Sequence, residues 1–128
     1  WFNLQLNDGT ELMYYQLRDR NGDVMHEFGT MIDAQGEASN IEQDSIYIEP
    51  LGIWESETSG ATYPSGWHFQ IDQDISLTLS PVVKESEFYI PGSILPVYWE
   101  GAVKVSGHGA GNVKQGYGFV ELVGYMSP

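Results

Sequence analysis

The sequence predicts an all-β protein, a single antiparallel barrel of about eight or nine strands. Three observations lead there. Apolar residues alternate with a period of two rather than 3.6, and turn dipeptides recur at hairpin spacing. The chain of 128 residues, 15 of them glycine, suits one domain over 1–128 and leaves no room for two ordinary ones. A chain of this size buries roughly two-thirds of its unfolded surface, enough for a core without disulfides or a structural metal. A barrel is preferred to a sandwich because full closure hides the strand edges.

The elements follow in chain order. Residues 1–6 place Phe2, Leu4 and Leu6 on one face and Trp1, Asn3 and Gln5 on the other, and Asn7-Asp8-Gly9 is a hairpin turn. Residues 10–18 return as a second strand, with Leu12, Tyr14, Gln16 and Arg18 sharing a face. Asn21-Gly22 turns again, and 28–33 reads as a third strand, 45–49 as a fourth. Residues 56–66, rich in Ser, Thr, Gly and Pro, read as a loop, and 67–71 and 75–80 as two strands around an acidic turn. Pro81, Pro91 and Pro96 allow at most a short edge strand in 81–97. The last hairpin pairs 98–106 with 113–125 through a turn at Gly107, Gly109 and Gly111. Only 38–44 and 83–88 have room for a helix, and both are short.

Charge and composition exclude several functions. There are 18 Asp plus Glu against 5 Lys plus Arg, a net charge of -13. Such a polyanion repels phosphate backbones and anionic lipid surfaces, so nucleic acid is not an expected partner. The acids are dispersed, as solvated strand faces and loops require, and no Asp-x-Asp-x-Asp-Gly calcium loop occurs. The absence of Cys removes thiolate metal sites and thiol nucleophiles. His26, His68 and His108 lack ligand spacing, so no metal is expected. No Gly-x-Ser-x-Gly elbow occurs, and Gly107-His-Gly-Ala-Gly111 precedes a strand rather than the helix a dinucleotide loop needs. No stretch reaches the length of a membrane span. The chain opens on Trp1 rather than Met, so a longer native protein is expected.

Four segments carry a family resemblance. Trp1-Phe-x-Leu-Gln-Leu-x-Asp-Gly-x-Glu-Leu-Met, Ser59-Gly-Ala-Thr-Tyr-Pro-x-x-Trp67, Tyr98-Trp-Glu-Gly-Ala-Val103 and Gly116-Tyr-Gly-Phe-Val-Glu-Leu-Val-Gly-Tyr125 resemble the second domain of the carotenoid 1,2-hydratase (hydroxyneurosporene synthase) and AttH-like family. The resemblance implies a lipocalin-like barrel, usually the C-terminal one of two. It also implies an apolar ligand, no cofactor, and a periplasmic or secreted location. A second barrel or a homodimer is the implied protein partner.

Acids set among aromatics are the candidate chemistry. On the last strand Tyr117, Phe119, Glu121, Val123 and Tyr125 share a face. A carboxyl in an aromatic pocket donates protons near neutrality, and protonating an apolar C=C bond needs such a group. Glu121 is therefore the first catalytic candidate and Glu100 the second, although Glu100 shares its face with Lys104 and that pair alone would explain it. Gln5, Tyr14, Tyr98, Tyr117, Tyr125 and Trp1 are the candidate ligand-binding residues. Two function classes stay open: an enzyme or enzyme half that hydrates or cyclises an unsaturated apolar substrate, and a non-catalytic carrier or supporting half-barrel.

Overall fold

Phe2 and Leu4 turn to the same side of β1 (Phe2–Leu6) and are buried, because successive side chains of a strand point to opposite faces. The same alternation sets the inner face of every long strand in the computed structural model, which describes residues 1–126. The first hairpin joins β1 to β2 (Glu11–Arg18), followed by β3 (Val24–Ile32) and β4 (Ala38–Ile41). A single 3-10 turn, Gln43–Ser45, leads to β5 (Ile46–Pro50). A small separate hairpin, β6 (Ile53–Glu55) and β7 (Thr62–Pro64), precedes β8 (Trp67–Ile71) and β9 (Ile75–Pro81). The short β10 (Glu87–Phe88) and the long β11 (Tyr98–Gly109) and β12 (Asn112–Val123) complete the chain.

The main sheet runs β4-β3-β2-β1-β12-β11-β9-β8-β5, every neighbour antiparallel, and curls into a nearly closed lipocalin-like barrel. Nine antiparallel strands leave the two edge strands, β4 and β5, running the same way. Tight turns gather at one end: β1–β2, β3–β4, β8–β9 and β11–β12. The β11–β12 turn is the two-residue pair Ala110-Gly111, both at positive φ (50° and 76°), the backbone that matches strand twist. Gly107 and Gly109 therefore lie inside β11, not in the turn. The long connections, including the β6–β7 hairpin and β10, collect at the opposite, open end.

The middle of the barrel is packed with side chains. Leu4, Phe69, Leu79, Val103 and Val120 are wholly inaccessible, and Phe2 meets Trp67 and Phe69 edge-on at 5.5 and 5.0 Å. Each such side chain contributes about 1.5–3 kcal/mol by leaving water. Trp99 packs near Trp67 and donates its indole N–H to the Lys84 carbonyl at 2.6 Å. The tight curl needs Gly116 and Gly118: a Cβ there would stand 2.0 Å from the Gln5 carbonyl oxygen and 2.4 Å from that of Asn3.

The sequence reading of an antiparallel barrel holds, as does the 98–106 pairing with the last strand. Three local expectations change. Residues 38–44 form strand β4 and a 3-10 turn, not a helix, because Ala38–Ile41 finds hydrogen-bonding partners along β3. Residues 83–88 end in β10, an edge partner of β11. The 56–66 loop contains β7, which pairs with β6. No helix among the described residues is long and apolar enough to cross a membrane.

Candidate functional site

Two polar networks stand at the open end, each built on a carboxylate. In the first, alternation turns Tyr14 and Gln16 of β2 inward, opposite Gly29 and Glu27 of β3. The Tyr14 hydroxyl donates to Glu27 Oε2. Gln16 Nε2 donates to the same oxygen at 2.8 Å and to the Tyr14 hydroxyl at 3.0 Å. Gln16 Oε1 accepts from Arg18 Nε and Nη2 at 3.3 and 2.8 Å. A guanidinium only donates, so Arg18 fixes which end of the Gln16 amide is oxygen. Glu27 also lines a cleft of about 360 Å³ shared with Phe28, Asn40, Ile41, Glu42, Gln43 and Asp44, beside the unpaired edge of β4. Among the described residues its Oε1 has no hydrogen-bond partner.

In the second network Glu87 accepts three hydroxyls: Ser56 on Oε2 at 2.5 Å, and Ser59 and Tyr63 on Oε1 at 2.5 and 2.9 Å. The two serine oxygens in turn accept backbone N–H groups of Thr58, Ser59 and Ala61. Tyr63 is buried, stacked between Trp54 and Tyr125. The Ser59-Gly-Ala-Thr-Tyr segment thus holds the β6–β7 hairpin down across the open end.

Burial shifts the tyrosines of this end. It pushes the Tyr14 hydroxyl well above the ordinary phenol range, and the neighbouring Glu27 carboxylate adds to that rise. Tyr63 is raised in the same way by burial and then by Glu87. Burial also raises Tyr125, with the Arg18 charge partly opposing it.

Of the residues singled out in the sequence, only Tyr14 and Tyr125 reach this end from inside. The expectation that the aromatic face of the last strand lines the barrel is corrected. The inner face of β12 is Gly118, Val120 and Leu122, and Tyr117 and Phe119 stand outside, 64% and 40% exposed. Glu121 shares that outer face and exchanges main-chain hydrogen bonds with Trp1 at 2.9 Å. Glu100 is also outside, directly opposite Glu121, and forms no ion pair with Lys104. Gln5, Tyr98 and Trp1 lie on the same outer wall, away from Tyr14. The physical reason is size: the barrel interior needs small residues where it curls hardest, so the glycine-bearing face turned in and the aromatic one out.

Glu27, Gln16 and Glu87 were missed as site residues. A strand begun at Val24 instead of 28 would have put Glu27 in phase with Gly29 and Met31, opposite Gln16 and Tyr14.

The fold and the acid–hydroxyl groups define a lipocalin-like barrel with two carboxylate-centred networks at its open end. The sequence profile of the AttH-like family matches residues 1–125, and the chain belongs to that family. It superposes on the crystal structure of a protein assigned as an AttH from Nitrosomonas europaea with a TM-score of 0.82 and 27% identity, covering 99% of this chain. It also matches kievitone hydratase from Nectria haematococca with a TM-score of 0.77 and 25% identity over 96% of the chain. The chain spans 38% of the length of each of these two structures. No curated protein sequence matches this chain.

Proposed function

We propose that this barrel takes an apolar, unsaturated ligand of isoprenoid or polyketide type at its open end and adds water to a C=C bond without a cofactor. The observation that carries this reading is the Glu27 carboxyl, anchored through Oε2 by Tyr14 and Gln16 while Oε1 is left free beside the cleft. The similarity to a hydratase supports it.

In the proposed reaction the protonated carboxyl delivers its proton from Oε1 to one alkene carbon, leaving a carbocation on the other. The Tyr14 hydroxyl and the Gln16 amide stabilise the carboxylate this leaves, as donors aimed at developing charge do. Water then bonds to the cation and returns a proton to Glu27, so alkene and water become alcohol and the carboxyl is regenerated. In this reading a second barrel or a second copy of the chain shields the mouth from bulk water.

The test offers the protein acyclic isoprenoid alkenes and prenylated phenols and looks for products heavier by one water. Glu27→Gln should slow conversion by about 100-fold or more while leaving ligand binding intact, the usual scale for losing a general acid. Tyr14→Phe should slow it less. Conversion by Glu27→Gln at the unmodified rate would refute the assignment. Binding without conversion in every variant would make the protein a carrier.

A further inference from the structure

Four neighbouring strands, β2, β1, β12 and β11, turn an aromatic outer wall to solvent. An uncharged row crosses its centre, Met13, Asn3, Phe119 and Ala102, each directly opposite the next. Two residues from that row toward the tight turns stand Tyr117 on β12 and Lys104 on β11, side by side. Two residues the other way stand Glu121 and Glu100, also side by side and without a salt bridge. Trp1, Tyr117 and Phe119 are 43%, 64% and 40% exposed, and Glu100, Ala102 and Lys104 are exposed as well. Exposed aromatics held on regular strands form a fixed surface, and aromatic enrichment marks the centres of protein interfaces.

Charge follows the same geometry. Arg18, Arg20 and Lys84 stand toward the open end and Lys114 is held by Asp8, so Lys104 is the one cation on this wall among the described residues. It shares β11 with Glu100, and Ala102 lies midway between them. A cation and a carboxylate at equal distances from one point on one strand are self-complementary: reversing the strand about that point lays each over the other.

We propose that this wall is a self-association face whose occupant is a second copy of the chain, packed face to face about a twofold axis along the row of Phe119 and Ala102. The axis runs across the strands and reverses their direction in the second copy. Lys104 then meets Glu100 of the second copy, the reciprocal pair forms by symmetry, and the Phe119 rings meet at the centre. Two chains of net charge -13 repel each other. At physiological ionic strength the screening length is about 8 Å, which damps that remote repulsion and spares the pairs in contact. The contact leaves both open ends uncovered and is independent of the proposed reaction.

Sedimentation equilibrium at about 0.15 M salt reads the association directly. The mass of the unmodified chain should rise from one copy toward two between about 1 and about 200 μM, as a small interface allows. Phe119→Asp sets two carboxylates against each other on the axis and should keep the chain monomeric. Lys104→Glu should weaken the dimer by about tenfold or more, since like charges then meet. Adding Glu100→Lys to that variant should restore the dimer, because the swapped pair is again complementary. Restoration also shows that the variants fold. The chain has no Cys, so Ala102→Cys places a single thiol on the axis, where a short bismaleimide should join two copies. Tyr47→Cys, on β5 and exposed, should stay unlinked. A chain that stays monomeric throughout the range would overturn the proposal and leave the wall to a different protein. A dimer that survives Phe119→Asp, or a double swap that fails to restore association, would overturn it in favour of another face.

Discussion

Glu121 shows how alternation can group a residue correctly with its neighbours and leave its facing open. It lies on the outer wall with Glu100 directly across from it on β11, two like charges in register. Opposed like charges on a sheet cost about 0.2–1 kcal/mol. Glu121→Gln is therefore expected to raise stability by a few tenths of a kcal/mol, within that range, seen as a higher urea midpoint with an unchanged slope. A drop in midpoint would show that the carboxylate has a partner of its own. The error in the sequence reading was one of facing. Alternation placed Glu121, Tyr117 and Phe119 together correctly, but period-two patterning alone does not say which face is inside. Bulk suggested the aromatic face; curvature chose the glycine face, because Gly116 and Gly118 leave no room for a Cβ against β1. Tyr14 was legible because both its neighbours on that face, Leu12 and Gln16, agree with it.

At the scale of elements, the β6–β7 hairpin depends on a residue far along the chain. The main-chain bonds at its base, from the Leu51 N–H to the Gly66 carbonyl and from the Ser65 N–H to the Gly52 carbonyl, join its own two arms. Its far end is held by Ser56, Ser59 and Tyr63 on Glu87. Removing Glu87 leaves the buried Ser56 and Tyr63 hydroxyls without an acceptor. Glu87→Ala is accordingly expected to cost about 2–4 kcal/mol, the range for stranding two buried hydroxyls. Hydrogen exchange should rise first in 53–64 and only later in the barrel strands. Uniform acceleration across the whole sheet would contradict a local latch. The hairpin was only half visible in the sequence. Gly52, Pro64 and the Ser/Thr-rich stretch signalled turns, and three-residue strands are too short for alternation to register. Residues 38–41 were missed for a related reason: Ala-Ser-Asn-Ile has no pattern of its own and takes strand form from β3. The long strands β2, β8, β9, β11 and β12 were legible because each carries several buried residues in phase.

Across the whole molecule, the two ends of the chain are joined in the sheet by β1 against β12, and one ion pair reinforces the seam. Lys114 of β12 bonds to Asp8 in the first turn, and Asn7 exchanges hydrogen bonds with Gln115 beside it. Lys114 holds the Asp8 carboxyl down at about 2. A carboxylate depressed in the folded state stabilises above its ordinary range and loses that contribution as pH falls through the folded value. Asp8→Asn should thus cost less than about 1 kcal/mol at neutral pH, as expected for a surface pair. Denaturation curves of the two proteins should converge as pH falls from about 4 toward 2, and added salt should narrow the gap at neutral pH. A difference that persisted below about pH 2 would mean that Asp8 acts through its turn hydrogen bonds instead. The odd strand count has a mechanical consequence. An even antiparallel ring can zip shut, and to admit something wider it must tear a ladder, at about 0.5–1.5 kcal/mol for every bond broken. With β4 and β5 pointing the same way, this ring is a split collar. It can open along that one line between β4 and β5 while every rung of the remaining sheet stays intact.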